Sequence, residues 1–484
     1  MCALGEMAAW LPLGSGFTGY ATRFCDPALG FALGWTYWFK YIIVTPNQLT
    51  AAALVLQRWI PREKVNPGVW ITIFLLIILF INYFGIRLFG EIEFWLSSFK
   101  VITIVGLIIL SLVLVLGGGP DKDRKGFRYW KNPGAFKEYD EIRFTGPRGR
   151  FLAFWSTFVT ATFAYLGTEL VGVTVGEAQN PRRVIPRAIR LTFYRIVFFY
   201  VISVFLLGML VPYNDKDLLF ANTKGTSATA SPYVVAIDNS GIKALPEILN
   251  ACILVFVFSA SNSDLYIASR TIYGLALEGS APRILAKTDK RGVPIYSLGL
   301  SACFALLAYM NVAEDSQVVF GYFVNLVTIF GILTWISILV THIYFVRARR
   351  AQGITNDQMP YVAPLGHYGS YGALVGCILI AVFKNWNVFI EEPKKYGKWD
   401  YKNFVTGYLG IPLYLIMIFG HKLWFRKQIA SGEAVGGIKP HEADLFLGKA
   451  KIDREEEEFL RMKANEPEPK GIKRWYKRYV SWLF

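Results

Sequence analysis

Three ionisable side chains, Lys40, Lys100 and Glu169, stand inside otherwise apolar stretches. At the centre of a bilayer a lysine or acidic residue costs about 2.5–3.5 kcal/mol on insertion scales, so such groups pair with one another or line a wet cavity. Glu169 lies in the run 151–178, where Gly167, Thr168, Gly172 and Gly176 weaken the helix around it. A glycine-interrupted helix with one carboxylate suits a transporter, because unwound backbone offers N–H and C=O groups to a solute at the midplane. Close helix packing at Gly167 is the competing reading. Lys40 is followed by Thr45, Pro46, Asn47 and Gln48. A mid-span proline frees a carbonyl, and the two amides add donors, either for a polar path or for hydrogen bonds between helices. Lys100 opens an apolar stretch and reads either as a buried functional cation or as a side chain snorkelling to the interface.

The elements that must hold these residues are membrane helices. The 484-residue chain is 54% hydrophobic and 18% charged, against roughly 45–50% and about 25% in soluble domains. Windows of about nineteen residues predict ten spans near 28–57, 67–86, 99–117, 151–175, 191–211, 245–275, 294–312, 317–346, 368–390 and 402–425. Met1 to Leu13 is too short to span, carries Glu6 and lacks the features of a secretory signal. Basic residues in the loops 177–190 and 276–293, in 347–350 and in the tail fall on one side, as positive-inside requires; the basic loop 118–150 is the exception. The expected division is a transmembrane domain over 1–425 and a cytoplasmic tail over 426–484. The tail reads as an amphipathic segment on the inner leaflet, as a site for trafficking machinery and a ubiquitin ligase, or as a solvated disordered extension.

Other chemistries find little support. Residues 14–19, GSGFTG, match a dinucleotide-binding pattern, but no strand precedes them, which leaves a glycine-rich loop between helices. His342, His367, His421 and His441 lack ligand spacing. Cys2, Cys25, Cys252, Cys303 and Cys377 read as reduced packing residues. No Gly-x-Ser-x-Gly elbow points to an enzyme. The net charge of +16 is that of cytoplasmic loops and tail, not of a nucleic-acid binder.

The runs GTELVGVTVGEAQNPRRVIPRAI (167–189), SASNSDLYIASRTIYGLALEGSAPRILAKTDKRGVPIY (259–296) and LTWISILVTHIYFVRARRAQG (333–353) resemble fungal amino-acid permeases of the amino acid–polyamine–organocation superfamily. Residues 26–60, 66–74, 90–101, 126–139 and 454–463 are most similar to the dicarboxylic amino-acid permeases. The resemblance implies an all-α polytopic membrane protein with an inverted-repeat transporter fold and broken helices. The family has twelve helices; about eleven are expected here, because the family's numbering starts within helix two and the first helix is missing from this sequence.

It also implies proton-coupled import of L-glutamate and L-aspartate across the plasma membrane, with no cofactor beyond the proton as coupling ion. The expected partners are the small amino acid and the lipid bilayer. Phe163, Ala164, Tyr165, Leu166, Gly167 and Thr168 match the family's helix-six break, whose carbonyls take the substrate ammonium. Phe163 matches an aromatic over the substrate, Glu169 a gating and proton-linked carboxylate, and Lys100 a lysine in the place of a sodium ion. Thr45, Asn47 and Gln48 face the site from helix three. The run Ser259 to Asp264, with Thr334 and Trp335, completes the wall. Lys40 is the cation for a second substrate carboxylate, charge-assisted contacts being the strong ones; pairing with another helix or reaching the interface are its alternatives. A broad-specificity permease and a receptor-like sensor remain as other functions.

Overall fold

The computed structural model describes all residues except 14, 85, 140–143, 171–180, 217, 219–230, 314–315, 390–398, 432–435 and 465–484. Its elements are α-helical with short 3-10 and π segments. In chain order the helices used below are α1 (Cys2–Trp10), α2 (Gly16–Phe24), α3 (Pro27–Leu56), α4 (Pro67–Phe84), α5 (Ile86–Val115), α6 (Gly146–Ser156), α7 (Phe158–Tyr165), α8 (Pro181–Ile196), α9 (Ser203–Leu210), α10 (Pro232–Asp238), α11 (Leu245–Leu277), α12 (Ile295–Ala305), α13 (Ser316–Ala351), α14 (Gly366–Phe383), α15 (Tyr401–Tyr408), α16 (Gly410–Trp424) and α17 (Lys449–Ala464). Among the described residues eight helices are long and apolar enough to cross a bilayer, nine if α15 and α16 form one bent span.

Helix α3 is the hub. Asp26 caps it by accepting the Ala28 N–H at 2.8 Å, and Pro27 sits at its first turn, where no donor is lost. It packs against α11 and α13 and is buried over most of its length. Tyr20, Phe24, Leu33, Tyr37 and Phe345 fill the core around it. The peripheral helices turn large apolar side chains outward, Leu76 and Phe80 from α4 and Trp95 and Ile102 from α5, the surface a hydrocarbon solvent requires.

Three predicted spans are corrected. The stretch 151–175 is not continuous: α6 ends at Ser156, α7 ends at Tyr165, and Leu166 is already extended (φ −61°, ψ 148°). The helix that carries the span placed at 99–117 begins at Ile86, and its membrane-length apolar segment covers Ile92–Val115, so Lys100 stands in the middle of α5. The last span is bent by 41° at Leu409. Pro412 explains the bend, since it cannot donate to the carbonyl one turn earlier.

The tail segment 436–464 packs on the bundle, unlike a solvated extension. Ile438 N–H donates to Cys25 O (2.9 Å), Trp10 Nε1 to Leu445 O (3.0 Å), and Gln352 Nε2 to Ala443 O (2.7 Å). Leu445 is fully buried. The aromatic residues Trp475 to Phe484 lie outside the described residues.

Candidate functional site

The break in α7 is made by Gly167, whose φ of +97° is costly for any residue with a Cβ. It turns the chain so that Glu169 points back toward the break. The Gly167 N–H approaches both carboxylate oxygens (3.2 and 3.3 Å), and Trp335 Nε1 of α13 donates to Oε2 (3.1 Å). Across the gap Lys40 Nζ of α3 forms a buried ion pair with Glu169 Oε1; each side chain is 3% exposed. The ammonium also stands over the rings of Tyr37 and Tyr41, 4.9 and 4.5 Å from their centroids. Gly331 of α13 permits the approach, because a Cβ there would meet Leu166 Cδ2 at 2.2 Å.

The other residues of the break distribute around this pair. The Ala164 carbonyl accepts from Tyr200 Oη at 3.1 Å, and Tyr165 stacks on the Tyr200 ring. Phe163 meets Phe320 edge-on, with centroids 6.3 Å apart. Thr168 lines a small void together with Met1, Leu4, Gly5 and Ala8 of the α1 region and Ile185 and Ile189 of α8. On α3, Thr45 Oγ1 donates to Tyr41 O (3.0 Å), while both amide atoms of the fully buried Asn47 lack a partner among the described residues.

Lys100 belongs to a second cluster. Its Nζ donates to Ser259 Oγ (2.7 Å) and approaches Glu93 Oε1 (3.3 Å), while Ser259 Oγ donates to Glu93 Oε2 (2.8 Å). This closed triangle ties α5 to α11. Sequence reasoning missed Glu93, although it precedes Lys100 by seven residues and so shares its helix face. It read Glu6, His342 and Arg349 only separately, as an isolated acid, a scattered histidine and a loop cation; they are fully buried or nearly so, with His342 Nε2 3.2 Å from Glu6 Oε2 and Ser370 Oγ 2.8 Å from His342 Nδ1. Among the described residues no group of His, Cys, Asp and Glu is arranged to hold a metal ion. The dinucleotide-like motif is not the glycine-rich loop expected: Gly16, with φ +61°, begins α2 and residues 17–19 continue that helix, while residue 14 lies outside the described residues.

The arrangement has the parts for carrying a small zwitterion: unwound backbone beside a buried cation, with a carboxylate that an incoming anion can displace. Comparison with known proteins points the same way. The amino acid permease family model matches residues 1–432. A dicarboxylic amino acid permease of Saccharomyces cerevisiae is 54% identical over the whole chain, which covers 78% of that protein. A proline-specific permease of Emericella nidulans is 36% identical over the whole chain and 84% of its own length, and a lysine-specific permease of S. cerevisiae is 38% identical over 88% of the chain and 67% of its own.

Proposed function

Since the chain belongs to the amino acid permease family, we propose that the solute it moves is an acidic amino acid, imported with protons across the plasma membrane and with the tail in the cytoplasm. The observation that carries this reading is Lys40: a buried cation set at the helix break, where its partner is the movable carboxylate of Glu169. The substrate ammonium meets the carbonyls of Phe163 to Gly167, and its side-chain carboxylate takes the place of Glu169 on Lys40. Glu169 then serves as the gate, and Lys100, fixed by Glu93 and Ser259, as the cation in the ion position. The identity to a relative named for dicarboxylic amino acids supports the substrate class. The two helix groups rock about the site to alternate access.

The test is uptake of labelled L-aspartate in permease-deficient fungal cells, with unlabelled glutamate, lysine and leucine as competitors. Competition by glutamate alone, with uptake rising as external pH falls, is the expected result. Equal competition by lysine and leucine would place the chain among broad-range permeases.

A further inference from the structure

The polar interior of α3, α5, α11 and the helix break contains two lysines, Lys40 and Lys100, and three carboxylates, Glu93, Glu169 and Asp264. Four of the five are committed. Lys40 pairs with Glu169, whose carboxylate has the Gly167 N–H and the Trp335 indole as further donors. Lys100 pairs with Glu93, and Ser259 bridges them. Among the described residues Asp264, on α11 beyond Ser259, makes no ion pair; Gln48 hydrogen-bonds its carboxyl, and its Oδ2 is enclosed without a hydrogen-bond partner. Ser261, one turn earlier on α11 and 1% exposed, is likewise unsatisfied among the described residues. The groups facing Asp264 are Lys40 and Gln48 from α3, with Tyr37 and Tyr41 further along that helix, and Glu93 and Lys100 from α5; Glu169 reaches the same tyrosines from the break.

With all five groups ionised the cluster carries one surplus negative charge. Before substrate enters, a single proton removes it, and Asp264 is the place for that proton because the other four groups stand in opposite-charge pairs. We propose that Asp264 is the carrier of the coupling proton. Its carboxylate takes a proton from water on the outer side, forming an O–H bond, the site closes around the substrate, and the proton returns to water on the inner side. This inference rests on the reading of proton-coupled amino-acid import and names the group that performs the coupling.

The test uses the full chain in permease-deficient cells and reads labelled aspartate accumulation, alkalinisation of the medium, and exchange of internal against external aspartate. Wild type accumulates aspartate with alkalinisation; failure there overturns both the import reading and the assignment. Asp264→Asn loses alkalinisation and about tenfold in accumulation for each unit of pH gradient, yet still exchanges aspartate. Glu169→Gln, at a lower rate, keeps its pH dependence. Wild-type alkalinisation in Asp264→Asn, beside a coupled wild type, overturns the assignment alone. Should Asp264→Asn not reach the surface, Asp264→Glu decides: a displaced pH profile supports the assignment and an unchanged one overturns it.

Discussion

At the residue scale the site turns on one buried ion pair. Lys40 and Glu169 are each legible in the sequence as charges in apolar runs, but their pairing is not, because 129 residues separate them and only the fold brings α3 to the break. The same holds for Glu6 and His342, which read as an isolated carboxylate and a scattered histidine until α1 and α13 are packed together. Removing one partner of a buried pair leaves an uncompensated charge, at a cost of about 3–5 kcal/mol, whereas replacing both with apolar or neutral groups is often tolerated. Glu169→Gln is therefore expected to lower thermal stability in detergent, and Lys40→Met with Glu169→Gln to recover most of the loss. A double variant as unstable as the single one would show that the pair does not act as a unit.

At the scale of elements, glycine and proline explain both what was legible and what was not. Gly167 announced a weakness in its helix, and its positive φ makes the break. The start of α5 was hidden because Glu91 and Glu93 interrupt the apolar window, although Glu93 is satisfied by Lys100 inside the helix. The bend at Leu409 follows from Pro412, and Gly407 beside it lets Asn385 approach, since a Cβ there would lie 2.6 Å from Asn385 Nδ2. The contact between Gly331 and Leu166 gives a prediction for the break itself. Gly331→Val forces Leu166 away, an overpacking of about 1–3 kcal/mol, and is expected to reduce aspartate uptake severalfold without loss of surface expression. Leu166→Ala in the same chain is expected to restore part of it. No rescue in the paired variant would mean that the break does not depend on this contact.

At the scale of the whole molecule, the tail closes one end of the bundle. Arg23 donates to Asp444 O (2.7 Å), Asp444 Oδ2 (2.8 Å) and Leu447 O (2.8 Å), and Lys449 stands 3.7 Å over the Trp10 ring. Burial pushes the Asp444 carboxyl upward, but the Leu447 and Phe446 N–H groups and the Arg23 guanidinium outweigh it and hold the carboxyl below its ordinary range. A lowered carboxyl stabilises the docked tail above its unfolded pKa of about 3.9 and ceases to do so as pH falls through the lowered value. Protease sensitivity of the tail in purified protein is expected to stay constant from neutral pH down to about pH 4 and to rise only below it; a rise near neutrality would contradict this contact. Such docking was not legible, because the segment is polar by composition and its anchors are mostly backbone carbonyls. The proposed selectivity for an acidic solute is the property in which residue, break and bundle meet. It is tested most directly by comparing kcat/KM for L-aspartate and L-asparagine, which differ in side-chain charge, in wild type and Lys40→Ser. A strong preference for aspartate in wild type is expected to collapse toward equality in the variant. An aspartate preference undiminished in Lys40→Ser would contradict it.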